Sequence, residues 1–300
     1  MAAPDIVVLG GGTGWHAARL RGAFRTLGVR ARSVPFAQCG FDPDGVRLGQ
    51  ARTLPDVVLV RTIPAGSFEQ VTVRLGVLHA LAGLGVAVIN DARAIERCVD
   101  KSTTAFLLAR AGVPTPETWT TEEETEARRL VAMARADGRA LVLKPLFGAQ
   151  GNGLRLIASP EELPAPDAVA GVYHLQRFVG GAADWQDLRV FVVADRAVAA
   201  MRRYGAGWIT NIRQGGRAEP LDLPGEAGEL AVAAATAVGA VYAGVDVIAG
   251  PDGRLQLLEV NSMPAWQALQ GVSRVDIAQA LARAVLAAAE GPAAARRAEA

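Results

Sequence analysis

The chain has 300 residues, 51% of them hydrophobic and 20% charged, and its 31 basic and 30 acidic side chains leave a net charge of +1. This composition favours folded domains over disorder, and a balanced charge argues against binding to nucleic acid or to an anionic membrane. Cys39 and Cys98 lack metal-ligand spacing, and no apolar run reaches the roughly 18 residues of a membrane span. We therefore expect a cytoplasmic protein with reduced thiols, one buried cysteine pair being the alternative.

The first part of the chain alternates strand and helix patterns. Short apolar runs at 6–9, 57–60 and 86–89 predict buried strands, and helices are predicted over 17–27 and 68–84. Alternation at this spacing indicates a parallel, doubly wound sheet. We assign it to an N-terminal α/β domain that ends near residue 95.

From Asp100 onward the pattern becomes a mixture of helices and strands. The predicted elements are helices over 101–111, 122–136, 226–241 and 277–290, and strands over 141–144, 172–179 and 188–193. We divide this part into a central subdomain (96–175), a C-terminal subdomain (176–290) and a flexible tail (291–300).

The most informative segment is a predicted hairpin near the C-terminal end. Asp252 and Gly253 favour a two-residue turn, which places Asp246 directly opposite Glu259. Asn261 shares the face of Glu259, because side chains alternate along a strand. Opposed carboxylates destabilise a sheet unless something compensates, and a magnesium ion with phosphate ligands would do so. A four-residue turn would shift the register and leave one carboxylate facing solvent.

A second segment has the features of a phosphate-binding loop. Lys144 ends a predicted strand and precedes Gly148, Gly151 and Gly153. Glycine lets backbone N–H groups approach an anion closely, and the lysine adds a positive charge. The chain has no GxxxxGK[ST] sequence, which excludes a P-loop NTPase.

Three further cations carry no decisive pattern by themselves. Lys101 follows Asp100 at a predicted helix start, and Arg202 and Arg203 follow a predicted strand. Each could be ordinary surface charge. Close to a phosphate site, the arginines would instead stabilise the charge that develops in phosphoryl transfer.

The N-terminal glycines fit part of a dinucleotide-binding fingerprint. The segment GTGWHA at 12–17 matches it, but the acid required near the end of the second strand is missing, since the next acid is Asp42. NAD binding is therefore disfavoured. The glycines more simply form a turn beside a cleft, where Trp15 and His16 could contact a substrate. For His16 a purely structural role is the alternative.

Together these stretches resemble the ATP-grasp superfamily, and within it the RimK-like glutamate-ligase branch, related to the enzyme that adds glutamate to a small-subunit ribosomal protein. The matching segments are 100–101, 112–116, 144–153, 176–179, 187–189, 201–203, 210–211, 244–246 and 259–262. The resemblance implies an α/β (α+β) fold in which two subdomains clamp ATP behind an N-terminal parallel α/β domain. The turn at 13–16 also resembles RimK-like proteins linked to tetrahydromethanopterin and C1 metabolism.

The resemblance also implies roles for individual residues. The residues expected to contact ATP are Lys101, Lys144, Gly148, Gly151, Gly153, Gln176, Arg177, Phe178, Asp187, Ile209, Thr210 and Asn211. Those expected to bind two Mg²⁺ or Mn²⁺ ions are Asp246, Glu259 and Asn261. Phosphoryl transfer falls to Arg203 or Arg202, with Asn211, and substrate contacts to Trp15, His16, Arg189, Ser262 and Trp266. Two residues depart from the family pattern: Arg177 replaces a glutamate, and Ala265 replaces a glycine on the acceptor side.

In this family ATP phosphorylates a carboxylate, and an amine then attacks the acyl phosphate to form an amide. The leading expectation is a ligase that adds L-glutamate to a small molecule such as a tetrahydromethanopterin-type cofactor precursor, working as a homo-oligomer without nucleic acid or membrane. One alternative keeps this chemistry but uses a protein or carrier-protein C-terminus. The other is a non-catalytic nucleotide-binding regulator, which would be expected to have lost Lys144 or a metal ligand.

Overall fold

The computed structural model describes residues 3–10, 12–51, 53–148, 150–180, 185–222 and 225–290. The tail predicted over 291–300 lies outside these residues. None of the described helices combines the length and apolar character needed to cross a bilayer. Cys39 and Cys98 are both free thiols.

The N-terminal part is a parallel sheet with helices against it. Its elements in chain order are β1 (Ile6–Leu9), α1 (Trp15–Thr26), β2 (Ala31–Val34), β3 (Cys39–Asp42), β4 (Gly45–Leu48), β5 (Val57–Val60), α2 (Phe68–Gly83) and β6 (Ala87–Ile89). The strand order β2-β1-β5-β6 is parallel throughout, which confirms the predicted sheet. Strands β1 and β5 are buried along their whole length, as expected of strands covered on both faces. The β3–β4 hairpin was not predicted.

Two antiparallel sheets follow. The elements before and within the central sheet are α3 (Ala92–Val99), α4 (Lys101–Arg110), β7 (Thr118–Thr121), α5 (Glu124–Ala136), β8 (Leu141–Lys144), β9 (Arg155–Ile157) and β10 (Tyr173–Arg177). Those of the C-terminal sheet are β11 (Gln186–Val193), β12 (Arg196–Tyr204), β13 (Arg217–Leu221), α6 (Gly225–Val238), β14 (Tyr242–Ala249), β15 (Leu255–Asn261), α7 (Gln267–Val272) and α8 (Ile277–Ala289). Their strand orders are β7-β10-β8-β9 and β13-β12-β11-β14-β15.

The two faces of the C-terminal sheet have different neighbours. One face packs against α6 and joins a core that also includes residues of α3 and α4. The other face contributes Phe191, Met201 and Tyr242 to a core shared with β1, β5, α1 and α8, so α8 packs against α1. The domain limits at residues 95 and 175 remain predictions, and α4 and α8 make contacts across them.

Hydrogen bonds of the Asn90 side chain connect the N-terminal sheet to the C-terminal sheet. Its buried side-chain nitrogen donates to the carbonyl oxygens of Tyr242 and Ser262, both at 2.7 Å. Its side-chain oxygen accepts from the N–H groups of Val241 at 2.6 Å and Tyr242 at 3.1 Å. The Tyr242 hydroxyl adds a bond to the Val60 carbonyl at 2.5 Å. One amide therefore satisfies four backbone groups at a buried junction, where an unpaired polar group would be costly.

The β14–β15 hairpin has a longer turn than predicted. Gly250 N–H donates to Arg254 O at 2.8 Å, so residues 251–253 form the loop. Gly253 ends this loop with a φ of +78°, as glycine commonly does in three-residue hairpins. A β-bulge at Leu258 then adds a residue to β15 and restores the pairing of Asp246 with Glu259. The predicted pairing is confirmed, whereas the predicted two-residue turn is wrong.

Replacing Asn90 with Asp should destabilise the protein strongly. The substitution keeps the shape but removes two donated hydrogen bonds and sets a carboxylate against two carbonyl oxygens. We expect the free energy of unfolding in urea to fall by about 3 kcal/mol or more. Gln50→Glu, the same change at an exposed position, should alter it by less than about 0.5 kcal/mol. Equal stability of the two variants would contradict this role of Asn90.

Candidate active site

An open cleft lies between the central and C-terminal sheets. Most residues predicted to contact ATP line it: Lys101, Lys144, Gly148, Gly151, Gln176, Arg177, Phe178, Asp187, Ile209, Thr210 and Asn211. Gly153 is not in the lining. Sequence reasoning missed the apolar wall, which is Val142, Leu154, Val179, Trp208, Ile248 and Leu258. Leu258 is the bulge residue of β15.

The glycine loop is held against the facing segment from both sides. Lys101 Nζ donates to the Gly148 carbonyl at 2.8 Å, and Gln214 Nε2 donates to the Gln150 carbonyl at 2.9 Å. A Cβ on Gly151 would lie 2.5 Å from Asn211 Oδ1, and the φ of Gly151 is +71°. Only glycine allows this approach. The loop therefore covers one end of the cleft.

The dipeptide Arg177–Phe178 has fewer free backbone N–H groups than expected if its backbone binds adenine. Arg177 N–H donates to Glu117 O at 2.8 Å, and Phe178 N–H donates to Ala140 O at 3.0 Å. Both N–H groups are thus engaged within the protein. The Phe178 ring meets the Trp208 ring edge-on at 5.8 Å, which gives the cleft an aromatic side.

Lys144 lies where the glycine loop meets the C-terminal sheet. Burial lowers the pKa of its ammonium group to about 8, although the carboxylate of Glu259 acts in the opposite direction. His174 pairs with Lys144 across the β8–β10 ladder, and burial holds the pKa of its imidazole at about 4. His174 Nδ1 is 2.9 Å from Thr120 Oγ1. At neutral pH the positive charge at this point therefore belongs to Lys144.

Two arginines and two aspartates form a buried ion-pair network at the floor of the cleft. Arg203 Nε donates to Asp187 Oδ1 at 2.7 Å, and Arg203 Nη2 lies 3.0 Å from Asp246 Oδ1. Arg189 Nη2 donates to Asp246 Oδ2 at 3.0 Å. Burial alone would lower the pKa of Arg203, but the carboxylates of Asp246 and Asp187 outweigh it and raise that pKa. Arg203 therefore stays charged, with its orientation fixed by Asp187.

The network distinguishes Arg203 from Arg202. Neighbouring residues of a strand point to opposite faces. Arg203 lies opposite Asp187 on the cleft face, whereas Arg202 lies opposite Leu188 and Glu219 and does not line the cleft. Of the two predicted candidates, the geometry therefore favours Arg203.

Asp246 and Glu259 are suitable metal ligands. They lie opposite each other, both line the cleft, and no ion pair joins Glu259 to another described residue. Asp246 Oδ1 is buried and accepts no well-oriented hydrogen bond from the described chain. Asn261 lies further along β15, outside the cleft lining, with its Nδ2 in a long 3.5 Å contact to Gly244 O. Two carboxylates and an amide oxygen are ligands that would suit Mg²⁺. An ion at Asp246 would have to compete with Arg189 and Arg203, which both contact this carboxylate.

The residues predicted to contact substrate lie beside this cleft, outside its lining. The ring of His16 lies edge-on to those of Trp15 and Trp266, at 5.0 and 4.5 Å. His16 Nε2 accepts from the Trp266 N–H at 3.1 Å, and burial, helped by Arg61, lowers the pKa of His16 to about 4. A neutral, hydrogen-bonded imidazole agrees with a purely structural role for His16, which was the alternative to substrate contact.

Two of these residues are buried: Trp266 is 1% exposed and packs in the core, and Ser262 is 3% exposed. Substrate contact through either side chain stays a prediction. Arg189 is different, because its guanidinium reaches Asp246 and lies against Gly244, where an added Cβ would be 2.5 Å from Arg189 Nη1.

The profile of the RimK-like ATP-grasp domain matches residues 98–285. The chain belongs to the RimK-like ATP-grasp family. It is 39% identical over 203 residues to the tetrahydromethanopterin:alpha-L-glutamate ligase of Methanococcus maripaludis. The aligned region covers 65% of this chain and 68% of that protein. The chain is 35% identical over 233 residues to a probable alpha-L-glutamate ligase of Xanthomonas oryzae, covering 73% and 78% respectively.

Solved structures agree with this assignment at the level of the fold. The ATP-grasp ligase PsnB, complexed with a phosphomimetic precursor variant, Mg and ADP, superposes with a TM-score of 0.74 at 24% identity, over 96% of this chain and 100% of that one. The D-cycloserine synthetase DcsG superposes with a TM-score of 0.70 at 19% sequence identity, over 95% of this chain and 100% of that one. The predicted ATP-grasp fold and ligase class are confirmed. RimK-like ATP-grasp ligases use ATP with Mg²⁺, which neutralises phosphate charge when bound.

In this RimK-like chain, nucleotide binding should be coupled to proton uptake at Lys144. Above about pH 8 the free protein loses the Lys144 proton, and phosphate groups nearby should raise that pKa again. Titration of MgADP at about pH 8.5 in two buffers of different ionisation enthalpy should reveal the uptake. Lys144→Met should abolish it and bind MgADP more weakly. Undiminished uptake in that variant would contradict the assignment of the proton to Lys144.

Proposed function

We propose that this protein adds L-glutamate to a small-molecule acceptor of the tetrahydromethanopterin type. The observation that carries the proposal is the cleft in which Lys101, Lys144, Asp246 and Glu259 converge. It belongs to a chain 39% identical to a tetrahydromethanopterin:alpha-L-glutamate ligase. The net charge of +1 offers no basic docking surface for an acidic macromolecule, which favours a small acceptor.

The first step is phosphoryl transfer from ATP to a carboxylate of the acceptor. Lys101 and Lys144 hold the phosphates beneath the glycine loop, and Asp246, Glu259 and Asn261 hold one or two Mg²⁺ ions. An oxygen of the acceptor carboxylate attacks the γ-phosphorus, and ADP leaves. Arg203 stabilises the charge on the transferred group, because Asp187 fixes its guanidinium at the cleft floor. Asn211 lies across the cleft from that floor, next to Gly151.

The second step is amide formation. The amino group of glutamate attacks the acyl carbon, inorganic phosphate leaves, and the amine gives up its proton. No side-chain nucleophile is needed, so the protein's contribution is positioning and electrostatic stabilisation. Arg189 lies beside Asp246 and Gly244, a position from which it could contact a carboxylate of either substrate.

Two other functions remain as alternatives. The name of the Xanthomonas oryzae relative specifies glutamate but no acceptor, which leaves room for a protein or carrier-protein C-terminus. A non-catalytic regulator is disfavoured, because Lys144, Asp246 and Glu259 are all present and line one cleft.

The proposal is tested by ADP release with L-glutamate and a panel of acceptors, with mass spectrometry of the products. Tetrahydromethanopterin should yield a glutamylated product. Glu259→Gln should reduce ADP release by about 100-fold or more without changing the circular dichroism spectrum, because it removes a charged metal ligand. Glu122→Gln, an exposed change outside the cleft, should be fully active.

The outcomes separate the alternatives. Product formed only with peptide acceptors would favour the protein-directed reaction. MgATP binding without ADP release, whatever the acceptor, would favour a regulator. Full activity of Glu259→Gln would contradict the proposed metal site.

We further propose that the protein forms a homo-oligomer through α2. Phe68 and Val73 on this helix are 84% and 49% exposed, and the neighbouring Phe41 is 54% exposed. Large apolar side chains exposed at a surface can mark contacts between proteins. Phe68→Glu should lower the mass measured by light scattering, whereas Phe106→Glu, at another exposed phenylalanine, should not. A monomeric wild-type protein would contradict this.

A further inference from the structure

Arg61 is a buried cation without an anionic partner among the residues that the structure describes. It directly follows β5 and is 6% exposed. Its Nη1 donates to the Met263 carbonyl at 3.2 Å, and its guanidinium lies 4.7 Å from the centre of the Trp266 ring. Its Nε is buried without a hydrogen-bond partner, and no carboxylate of the described chain forms an ion pair with it. Arg203 and Arg189, by contrast, both contact carboxylates.

An unpaired buried charge costs several kcal/mol, so a fold does not gain stability from it. The two neutral contacts of Arg61 recover only part of that cost. Retaining such a group is expected where an anion of a ligand completes the pair.

The N-terminus of α1 provides a second anion-attracting group beside Arg61. The helix has 12 residues, no side-chain cap and no acid in its first turn. Free N–H groups and the helix dipole attract anions there. The ring of His16, in that first turn, is 4.5 Å from the Trp266 ring that Arg61 covers.

These groups meet at the carboxyl edge of the parallel sheet. A Cβ on Gly10, after β1, would lie 1.7 Å from the oxygen of Thr62, after β5, so the two strand ends are in direct contact. From here the chain runs through α1 to β2 on one side and through α2 to β6 on the other. In open α/β sheets, ligands bind at such a divergence of strand connections.

The segment that contacts Arg61 also reaches the ion-pair network of the cleft. Met263 accepts from Arg61, and the next residue, Pro264, lies over Gly244 together with Arg189. A Cβ on Gly244 would be 2.7 Å from Pro264 Cβ and 2.5 Å from Arg189 Nη1. The segment Met263–Pro264 thus connects Arg61 with Gly244 and Arg189, the partner of Asp246.

We propose that Arg61 and the first turn of α1 form a carboxylate subsite for a substrate of the ligase. The subsite takes a carboxylate that is not phosphorylated, either on the incoming amino acid or on the acceptor. This inference rests on the proposed function, because it assumes two substrates with spare carboxylates. Thr13 and Gly14, both exposed, form its open side.

The test compares Arg61→Met with Arg25→Met, which removes the same charge from the exposed far end of α1. The first readout is the thermal stabilisation of the MgADP-bound protein by L-glutamate, L-glutamine, the α-amide of glutamate, or the acceptor. The second is the KM of each substrate. Arg61→Met should lose the stabilisation by one substrate and raise its KM by about 10-fold or more, with MgADP affinity unchanged.

The ligand panel identifies the source of the carboxylate. If the α-carboxylate of glutamate binds, L-glutamine keeps the Arg61-dependent stabilisation and the α-amide loses it. If the side-chain carboxylate binds, the pattern is reversed. If only stabilisation by the acceptor depends on Arg61, the carboxylate belongs to the acceptor. Each of these three results supports the subsite.

The melting temperature without ligand separates recognition from a structural role. Loss of an unpaired buried cation should leave the melting temperature of Arg61→Met at or above that of the wild type. A lower melting temperature, or substrate responses equal to those of Arg25→Met, would overturn the proposal, as would a wild type stabilised by neither substrate. A wild type that is stabilised through Arg61 but releases no ADP would instead contradict the proposed function alone.

Discussion

The buried pairing of Arg203 with Asp187 and of Arg189 with Asp246 is the interaction on which the cleft depends. Strand register produces it, because each arginine lies directly opposite its aspartate in the ladder. A single charge at this depth is costly, whereas two charges of each sign compensate one another. The network holds Asp246 in place opposite Glu259. Much of the geometry needed for phosphate chemistry is thus set by strand register and ion pairing within the protein.

Local sequence patterns predicted the elements that are apolar throughout or strongly capped. The strands Ile6–Leu9 and Val57–Val60 are buried on both faces, which produces continuous apolar runs. The helix from Lys101 to Arg110 begins where Asp100 caps its first turn. The hairpin at residues 39–48 escaped prediction because its short strands mix polar and apolar residues. The helix Ala92–Val99 follows another aspartate cap, a signal that was available but not used.

The candidate site could be predicted where strand pairing and the alternation of side chains along a strand decide which residues share a face. Asp246 lies opposite Glu259 as predicted, but through a longer turn and a bulge at Leu258 that offset each other. No local signal marks such a bulge. The burial of Trp266 could not be predicted from the sequence either, because it depends on packing against Phe191 and α8. Long-range packing, more than residue type, separated the side chains that face the cleft from those that support it.

The position of α8 constrains the order in which this protein can be completed. Leu20 and Phe24 of α1 belong to a core that also includes Ile277, Leu281 and Val285 of α8. On the ribosome, α1 is synthesised long before these three residues are added. The apolar face of α1 must therefore stay exposed to water or covered by a chaperone until α8 has been translated. Part of the N-terminal core is thus completed by one of the segments furthest from it in the sequence.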